Sequence, residues 1–175
     1  MTRPLAPRFE KLQLLSRRFP GIDTESLAAA IALLRLSSSL SHALDSQYAR
    51  HGIARGRFHV LMHLYEMEEA GLTPRELAER AAVTPAAMTG LLDTLVEAGL
   101  VRRVKDPLDR RTYRVHITDH GHRFLKKMLP DHFSRMQALV GGLSGAEKRG
   151  LVRMLEKVNE AVGAFDAEPA AAVAR

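Results

Sequence analysis

The amino-acid sequence predicts a mainly α-helical protein with one small β-hairpin, and three patterns support this fold class. Apolar residues recur at three- and four-residue spacing in several segments that begin at Ser, Thr or Asp. Two short segments instead alternate apolar and basic residues, which is the period of a β-strand. Between these two segments, Pro107 and its charged neighbours prevent a continuing helix.

The composition is that of a globular protein with a basic surface. Its 175 residues, 26% charged and 46% hydrophobic, suffice for one domain or for one domain with an intertwined dimerisation region. The absence of cysteine excludes disulfides, thiolate-ligated metals and thiol-based redox sensing. A net charge of +6 and a pI near 10.1 suit a polyanionic partner. We expect no apolar run to reach the roughly 18 to 20 residues of a membrane span and see no secretory signal, which predicts a cytoplasmic protein.

The stretch from residue 73 to residue 99 contains two consecutive helix start signals. Thr73 is followed by a proline at the first helical position and by Glu76 three residues after the cap, which predicts a capping box. A short turn then leads to Thr84, which caps a second helix that Gly99 ends. Two short helices joined by a tight turn form a helix-turn-helix, whose second helix enters the major groove of DNA.

A basic hairpin follows directly after the second helix. Residues 100–104 and 113–117 alternate apolar and basic side chains, and the loop between them is charged. We interpret this hairpin as the wing of a winged helix-turn-helix domain. Against Asp106 and Asp109, the hairpin carries six basic residues, namely Arg102, Arg103, Lys105, Arg110, Arg111 and Arg114.

Three motifs in this region resemble the multiple antibiotic resistance regulator (MarR) family. They are the stretch from Glu97 to Arg103, the triplet Asp109-Arg110-Arg111, and the stretch from Val115 to Thr118 that leads into Gly121. The resemblance covers roughly residues 25 to 163. It implies a two-fold dimer whose DNA-binding domain is flanked by N- and C-terminal dimerisation helices that interlock between the subunits.

The domain organisation follows from where these helices are expected. Residues 1–21 form an N-terminal extension with a short amphipathic helix from about Phe9 to Arg18. Dimerisation helices occupy residues 22–51 and 119–165, the winged helix-turn-helix domain residues 52–118, and a disordered tail residues 166–175. Pro130 should kink or split the first C-terminal helix, and Ser144 should open the second with a capping box.

Cap and glycine signals bound two further helices in the first half of the chain. Asp23 or Thr24 caps a long helix that Gly52 ends, and Arg57 begins the next helix, which Gly71 closes. The buried side of this second helix is expected to carry Phe58, Leu61, Met62, Leu64 and Tyr65.

The N-terminal turn of the second helix of the helix-turn-helix is the predicted base-reading surface, because short side chains there let its backbone approach base edges. The predicted DNA contacts on the two helices are Thr73, Arg75, Thr84, Ala86, Ala87 and Thr89. The alternative is that Thr84 is only a cap and that the alanines only favour helix formation.

At the tip of the wing, the resemblance implies that Arg111 enters the minor groove of DNA while Asp109 buttresses it, beside Arg110. Independently, an arginine on a narrow loop suits the negative potential of a narrow, A/T-rich minor groove. A solvated charged turn with a local ion pair is the alternative. Relatives often carry basic residues where Gly90 and Thr94 stand, so the wing must supply more of the attraction to phosphates.

Relatives of this family bind small aromatic acids or phenolic compounds in a crevice between the dimerisation helices and the winged domain. Candidate effector-binding residues for such a crevice are Ser38, Ser41, His42, Arg57, His59, Met62 and His63. Ordinary packing and surface histidines explain the same residues equally well. The chain has eight histidines, of which His59 and His63 form a pair at helical spacing and His116, His120 and His122 form a cluster. We expect no metal, because neither set has the further converging ligands beside it in sequence that a zinc site needs.

These observations predict a dimeric transcriptional regulator of double-stranded DNA, a repressor that a small aromatic or phenolic ligand releases from a pseudo-palindromic operator. The alternative is an effector-independent or histidine-based, metal-responsive DNA-binding protein. A cavity of ligand size at the junction of dimer helices and wing would distinguish the two. The sequence contains no nucleophile–base pair, phosphate-binding glycine loop or paired carboxylates, so an enzyme is not expected.

Overall fold

The structure, a computed structural model, describes residues 4–7, 9–67, 69–106 and 112–165. Over these ranges it is mainly helical with one antiparallel hairpin, which confirms the predicted fold class. The elements are α1 (Phe9–Arg18), α2 (Thr24–Arg50), α3 (Arg55–Glu66), α4 (Pro74–Arg80), α5 (Pro85–Glu97), β1 (Val101–Lys105), β2 (Tyr113–Ile117), α6 (Asp119–Leu139) and α7 (Gly145–Phe165). The tail over residues 166–175 and the wing loop over residues 107–111 lie outside the described residues.

The chain divides into two compact units, of which one comprises Met1–His42 with Gln137–Arg175 and the other Ala43–Met136. The second unit contains the helix-turn-helix, the hairpin and nearly all of the buried apolar side chains. Each of its elements contributes to one core, whose fully buried members are Tyr48, Val60, Leu61, Leu64, Leu77, Met88, Leu92, Leu95, Val115, Leu125 and Met128. The helix-turn-helix is therefore positioned by burial on its inner faces.

The start signals of α4 and α5 act as predicted. The Thr73 amide donates to Glu76 Oε2 at 2.7 Å and the Glu76 amide donates to Thr73 Oγ1 at 3.3 Å, which completes the capping box. Thr84 caps α5 by accepting the Ala87 amide at 3.2 Å. In the turn between them, Ala82 has φ +50°, a left-handed conformation that is unusual for a residue with a Cβ.

The sheet contains one pairing that the sequence did not indicate. Strands β1 and β2 pair antiparallel, with Val101 opposite Ile117 and Lys105 opposite Tyr113. In addition, Leu72 forms an isolated bridge with Val115, with N–H···O distances of 3.1 and 2.8 Å. The bridge ties the segment before α4 to β2, so the hairpin is joined to the helix-turn-helix through its backbone.

The expected limits of α3 and β1 need correction. Helix α3 begins at Arg55 rather than Arg57 and ends at Glu66, five residues before Gly71, because Met67 leaves the helical conformation. Gly71 instead has φ +60° in the following turn, where a Cβ would lie 2.6 Å from the His116 ring. Tyr65, expected in the core, is exposed. Strand β1 covers residues 101–105 rather than 100–104.

Helix α2 corrects the expectation that no apolar run could span a membrane. Asp23 caps it, accepting the amides of Glu25 and Ser26 at 3.0 and 3.2 Å. Among the helices in the described part of the chain, it is the one whose length and mean hydropathy of 1.4 would suffice for a bilayer span. The core helix of a water-soluble protein meets the same criteria of length and composition.

The C-terminal helices begin where local signals place them. Thr118 Oγ1 accepts the Gly121 amide at 3.0 Å at the start of α6, and a Cβ on Gly121 would lie 2.3 Å from the Leu100 carbonyl oxygen. Glycine therefore permits the close contact of α6 with the start of the hairpin. Helix α6 continues through Pro130, so a split helix is wrong. Ser144 opens α7 with the predicted capping box.

Candidate nucleic-acid interface

The N-terminal face of α5 is open to solvent, as a base-reading surface requires. Ala86, Ala87, Thr89 and Gly90 are exposed, and a Cβ built on Gly90 has no atom within 4 Å. The opposite face of the helix carries Met88, Leu92 and Leu95 in the core. The burial of these three side chains holds the exposed face in a defined orientation.

Two hydroxyl groups on this face keep complementary hydrogen-bonding capacity. Thr84 Oγ1 accepts from the Ala87 amide, which leaves its O–H available as a donor. Thr89 Oγ1 donates to the Pro85 carbonyl at 3.0 Å, which leaves its lone pairs available as acceptors. Capping and base contact are therefore compatible roles for Thr84.

The predicted contacts on α4 lie beside those on α5. Thr73, Arg75 and Thr89 all line one open groove of about 700 Å3 between the two helices, which Thr112 of the hairpin also borders. Arg75 is 88% exposed and its Nε donates to Glu79 at 2.9 Å. The Thr73 hydroxyl is already engaged in the capping box, whose hydrogen bonds lower the pKa of Glu76, with a smaller contribution from the charge of Arg114. Thr73 therefore positions α4.

The hairpin presents fewer free cations than its sequence suggests. Arg103 donates a hydrogen bond to Asp93 of α5, which raises the pKa of its guanidinium, and it lies 5.0 Å from the centre of the Tyr113 ring. Arg114 pairs with Asp106 at 2.7 Å. These two of the six basic residues link the hairpin to its own domain. The pair of Arg103 with Asp93 was not predicted, because nothing in the local pattern marks a partner ten residues away.

The wing loop itself lies outside the described residues, and with it Asp109, Arg110 and Arg111. The two residues that flank it are joined, since the Asp106 amide donates to the Thr112 carbonyl at 3.2 Å. Arg102 and Lys105 are exposed on β1. The hairpin thus reaches the loop as a closed antiparallel ladder.

An aromatic and histidine cluster joins α2, α3 and α6 within the second unit. The Tyr48 ring stacks on Phe58 at 4.8 Å and on His132 at 5.8 Å between centroids, and His59 lies edge-on to Tyr48 at 6.3 Å. Burial lowers the pKa of both His59 and His132, and nearby Arg55 lowers that of His59 further. His132 Nδ1 is buried and has no hydrogen-bond partner in the described structure.

The candidate effector residues fall in different parts of the chain. His59, Met62 and His63 lie on α3 with Arg57, and Met62 packs against the core. Ser38, Ser41 and His42 lie on the portion of α2 that belongs to the other unit. Tyr48 and His132 were not among the predicted residues, although the aromatic rings that they carry on separate helices were an available signal. Among the described residues, no group of three or more His, Asp or Glu side chains could hold a metal ion.

Comparison with known proteins gives a consistent result. The profile described as "MarR family" matches residues 51–112. The HTH-type transcriptional repressor YetL of Bacillus subtilis is 33% identical over 159 residues, which are 91% of this chain and 95% of YetL.

Solved structures share the fold at lower identity. Sco3205 from Streptomyces coelicolor, a MarR family transcriptional regulator in complex with DNA, has a TM-score of 0.73 and 23% identity over 87% of this chain and 97% of its own. The PcaV transcriptional regulator from Streptomyces coelicolor, in complex with its natural ligand, has a TM-score of 0.61 and 22% identity, with 73% of this chain and 91% of PcaV covered. The matched profile, the near full-length similarity to YetL and the winged helix-turn-helix geometry agree, and this chain belongs to the MarR family of transcriptional regulators, which are not enzymes.

Proposed function

We propose that this protein is a homodimeric repressor that binds a pseudo-palindromic DNA operator and is released from it by a small aromatic or phenolic ligand. The observation that carries DNA binding is the exposed N-terminal face of α5 beside a basic hairpin. Sco3205, which has the same fold, is known in complex with DNA, and YetL is a repressor.

In this proposal, α5 lies in the major groove. Thr84 donates to a base or phosphate acceptor, Thr89 accepts from a base amino group, and the methyl groups of Ala86 and Ala87 meet thymine methyls. Arg75, exposed on α4, contacts the phosphate backbone. Two-fold symmetry places the half-sites about 10 base pairs apart.

The wing supplies the second contact region. Arg111 enters the minor groove, Asp109 holds its guanidinium in place, and Arg110 interacts with phosphates. Because Arg103 and Arg114 are engaged with carboxylates of their own domain, we assign the attraction of the wing to DNA to its other basic residues. Arg102 and Lys105 add to it from β1.

A second copy of the chain accounts for the exposed apolar surface of the terminal helices. On α7, Met154, Leu155, Val158 and Val162 recur at helical spacing and are each at least two-fifths exposed in the single chain. Helices α1 and α2 carry further exposed leucines, among them Leu14 and Leu34. We assign these faces, and the apolar length of α2, to a dimer interface between water-soluble subunits rather than to a membrane.

The aromatic and histidine cluster is the proposed centre of the effector site. Tyr48 and His132 offer ring faces, and Arg55, which lies near enough to His59 to lower its pKa, can attract a carboxylate. The unpaired Nδ1 of His132 can accept or donate one hydrogen bond. A ligand that binds better to the DNA-incompatible form shifts the population away from the operator complex.

The test is a gel shift with DNA upstream of the gene for this protein, comparing wild type, Arg111→Ala and the matched control Arg153→Ala on α7. We expect selective binding that Arg111→Ala weakens by about 1–3 kcal/mol and that the control leaves unchanged, because a minor-groove contact is lost only in the first variant. A panel of aromatic carboxylates should contain a compound that releases the DNA.

Each arm of this test can contradict part of the proposal. Absence of any preferred DNA fragment at physiological salt would overturn DNA-specific function. Selective binding that no compound releases would favour an effector-independent regulator. Equal affinity of Arg111→Ala and wild type would remove the wing from the interface.

A further inference from the structure

We propose that Arg114 is a positioning residue for DNA binding, which fastens the root of the wing to the start of α4 and thereby sets the direction in which the wing loop approaches DNA. The inference rests on the proposed function, in which Arg111 of that loop enters the minor groove. Arg114 itself contacts no DNA in this account.

One guanidinium group joins three segments of the domain. Arg114 Nε donates to Asp106 Oδ2 at 2.7 Å, just after β1. Its Nη1 donates to the carbonyl oxygens of Gly71 at 3.3 Å and Ala70 at 3.4 Å, in the turn before α4. The same nitrogen lies 4.0 Å from Glu76 Oε2 in the capping box of α4.

Asp106 is placed so that this contact controls the wing loop. Its side chain is only 5% exposed, and its amide closes the hairpin on the Thr112 carbonyl. Residues 107–111, which include Arg111, connect Asp106 to Thr112. A buried carboxylate is stable only when it is paired or hydrogen-bonded, and Arg114 is one of the partners of Asp106, so a displaced Arg114 would shift Asp106 and the point from which the loop departs.

The backbone at the same place joins the hairpin to the segment before α4. Val115, next to Arg114, exchanges both hydrogen bonds with Leu72. On the other strand, Arg103 is held by Asp93 of α5. The hairpin is thus fastened to both helices of the helix-turn-helix, and a recognition surface of this kind loses affinity when its parts shift by fractions of an ångström.

Two substitutions separate positioning from charge. Arg114→Lys keeps the net charge, but an ammonium cannot donate in the fixed directions that Asp106 and the two carbonyls require. Asp106→Asn raises the net charge by one, which by electrostatics alone would tighten binding to DNA. If Arg114 acts by positioning, both Asp106→Asn and Arg114→Lys should weaken binding to DNA.

The experiment measures fluorescence anisotropy of the full-length protein on a duplex that the wild type selects from a random pool, and on a scrambled duplex. We expect each variant to bind the selected duplex about tenfold more weakly than the wild type. The affinity of Arg114→Lys for the scrambled duplex should change little, since this variant keeps the contacts of the protein with DNA phosphates. Arg123→Lys, exposed on α6 and outside the proposed DNA contacts, is the matched control and should bind as wild type.

A double-mutant cycle then tests whether Arg114 acts through the loop. If Arg114 positions Arg111, the double variant Arg111→Ala/Arg114→Lys should bind about as weakly as Arg111→Ala alone. Additive losses, or tighter binding by Asp106→Asn, would overturn the positioning role while leaving the proposed function intact. An Arg111→Ala variant with wild-type affinity would instead contradict the proposed wing contact itself.

Thermal unfolding of each variant completes the test. Melting well above the assay temperature, together with retained binding to scrambled DNA, excludes simple unfolding as the cause of a loss. If both Arg114→Lys and Asp106→Asn fail to fold, the pair holds the fold rather than the direction of the loop, and the inference is wrong.

Discussion

Gly90 is the residue at which stability and DNA binding should separate most clearly. It lies inside α5, where glycine costs roughly 0.5–1 kcal/mol relative to alanine. No atom lies within 4 Å of the Cβ position, so the protein itself leaves room for a side chain. In the proposed complex this position faces DNA, so the DNA rather than the protein limits the side chain that fits there.

We therefore expect Gly90→Ala to raise the free energy of unfolding by about 0.5–1 kcal/mol and to weaken DNA binding, because the methyl group separates the helix from the base edges. Urea unfolding and gel shift measure the two effects. The matched control is Gly163→Ala on α7, also without neighbours at its Cβ, which should gain stability with unchanged DNA affinity. Unchanged DNA affinity in Gly90→Ala would argue against close approach at this position.

At the scale of elements, the packing of α2, α3 and α6 around the histidine cluster makes stability depend on pH. Burial lowers the pKa of His59 and His132 in the folded protein, whereas a histidine in the unfolded chain has a pKa of about 6.5. At pH values between the lowered pKa and about 6.5, the folded protein therefore binds fewer protons than the unfolded chain. The free energy of unfolding should consequently decrease as the pH falls below about 6.5, and the loss is complete below the lowered values.

Thermal unfolding between about pH 7.5 and about pH 5.5 measures this decrease. Asp131 and Glu76 do not titrate in that window, since hydrogen bonds from Arg135 and His51 lower the pKa of Asp131 to about 2 and the capping box lowers that of Glu76. His132→Phe keeps an aromatic ring against Tyr48 and Phe58 but cannot titrate, so its melting temperature should depend less steeply on pH. An unchanged slope would show that His132 does not contribute.

On the scale of the whole molecule, the exposed apolar side of α7 predicts an obligatory partner. A glutamate in place of Leu155 would bury a charge in the proposed dimer interface, and Leu155→Glu should shift the solution mass from dimer towards monomer. Lys157→Glu, on the charged side of α7, is the control and should remain dimeric. Sedimentation equilibrium distinguishes the two, and a monomeric wild type would contradict the proposed interface.

The starts of α4, α5 and α7 were predictable because each is decided by residues within a few positions of one another. Thr73 with Glu76, Thr84 with the Ala87 amide, and Ser144 with Glu147 are contacts over three residues, so the local sequence contains both partners. The limits of α3 were less predictable, since Gly71 serves the turn before α4 rather than the end of the helix.

The sequence by itself determined the fold class, the winged helix-turn-helix, the family and the exposed side of α5, because these follow from periodicity, caps and short motifs. Only the tertiary structure decided which charged side chains form ion pairs within the domain and which aromatic rings pack together. The pairs Arg114 with Asp106, Arg103 with Asp93 and His132 with Tyr48 depend on strand register and on how distant helices pack. These residues are not neighbours in sequence and become close only when the chain folds, so no local sequence pattern could predict the contacts.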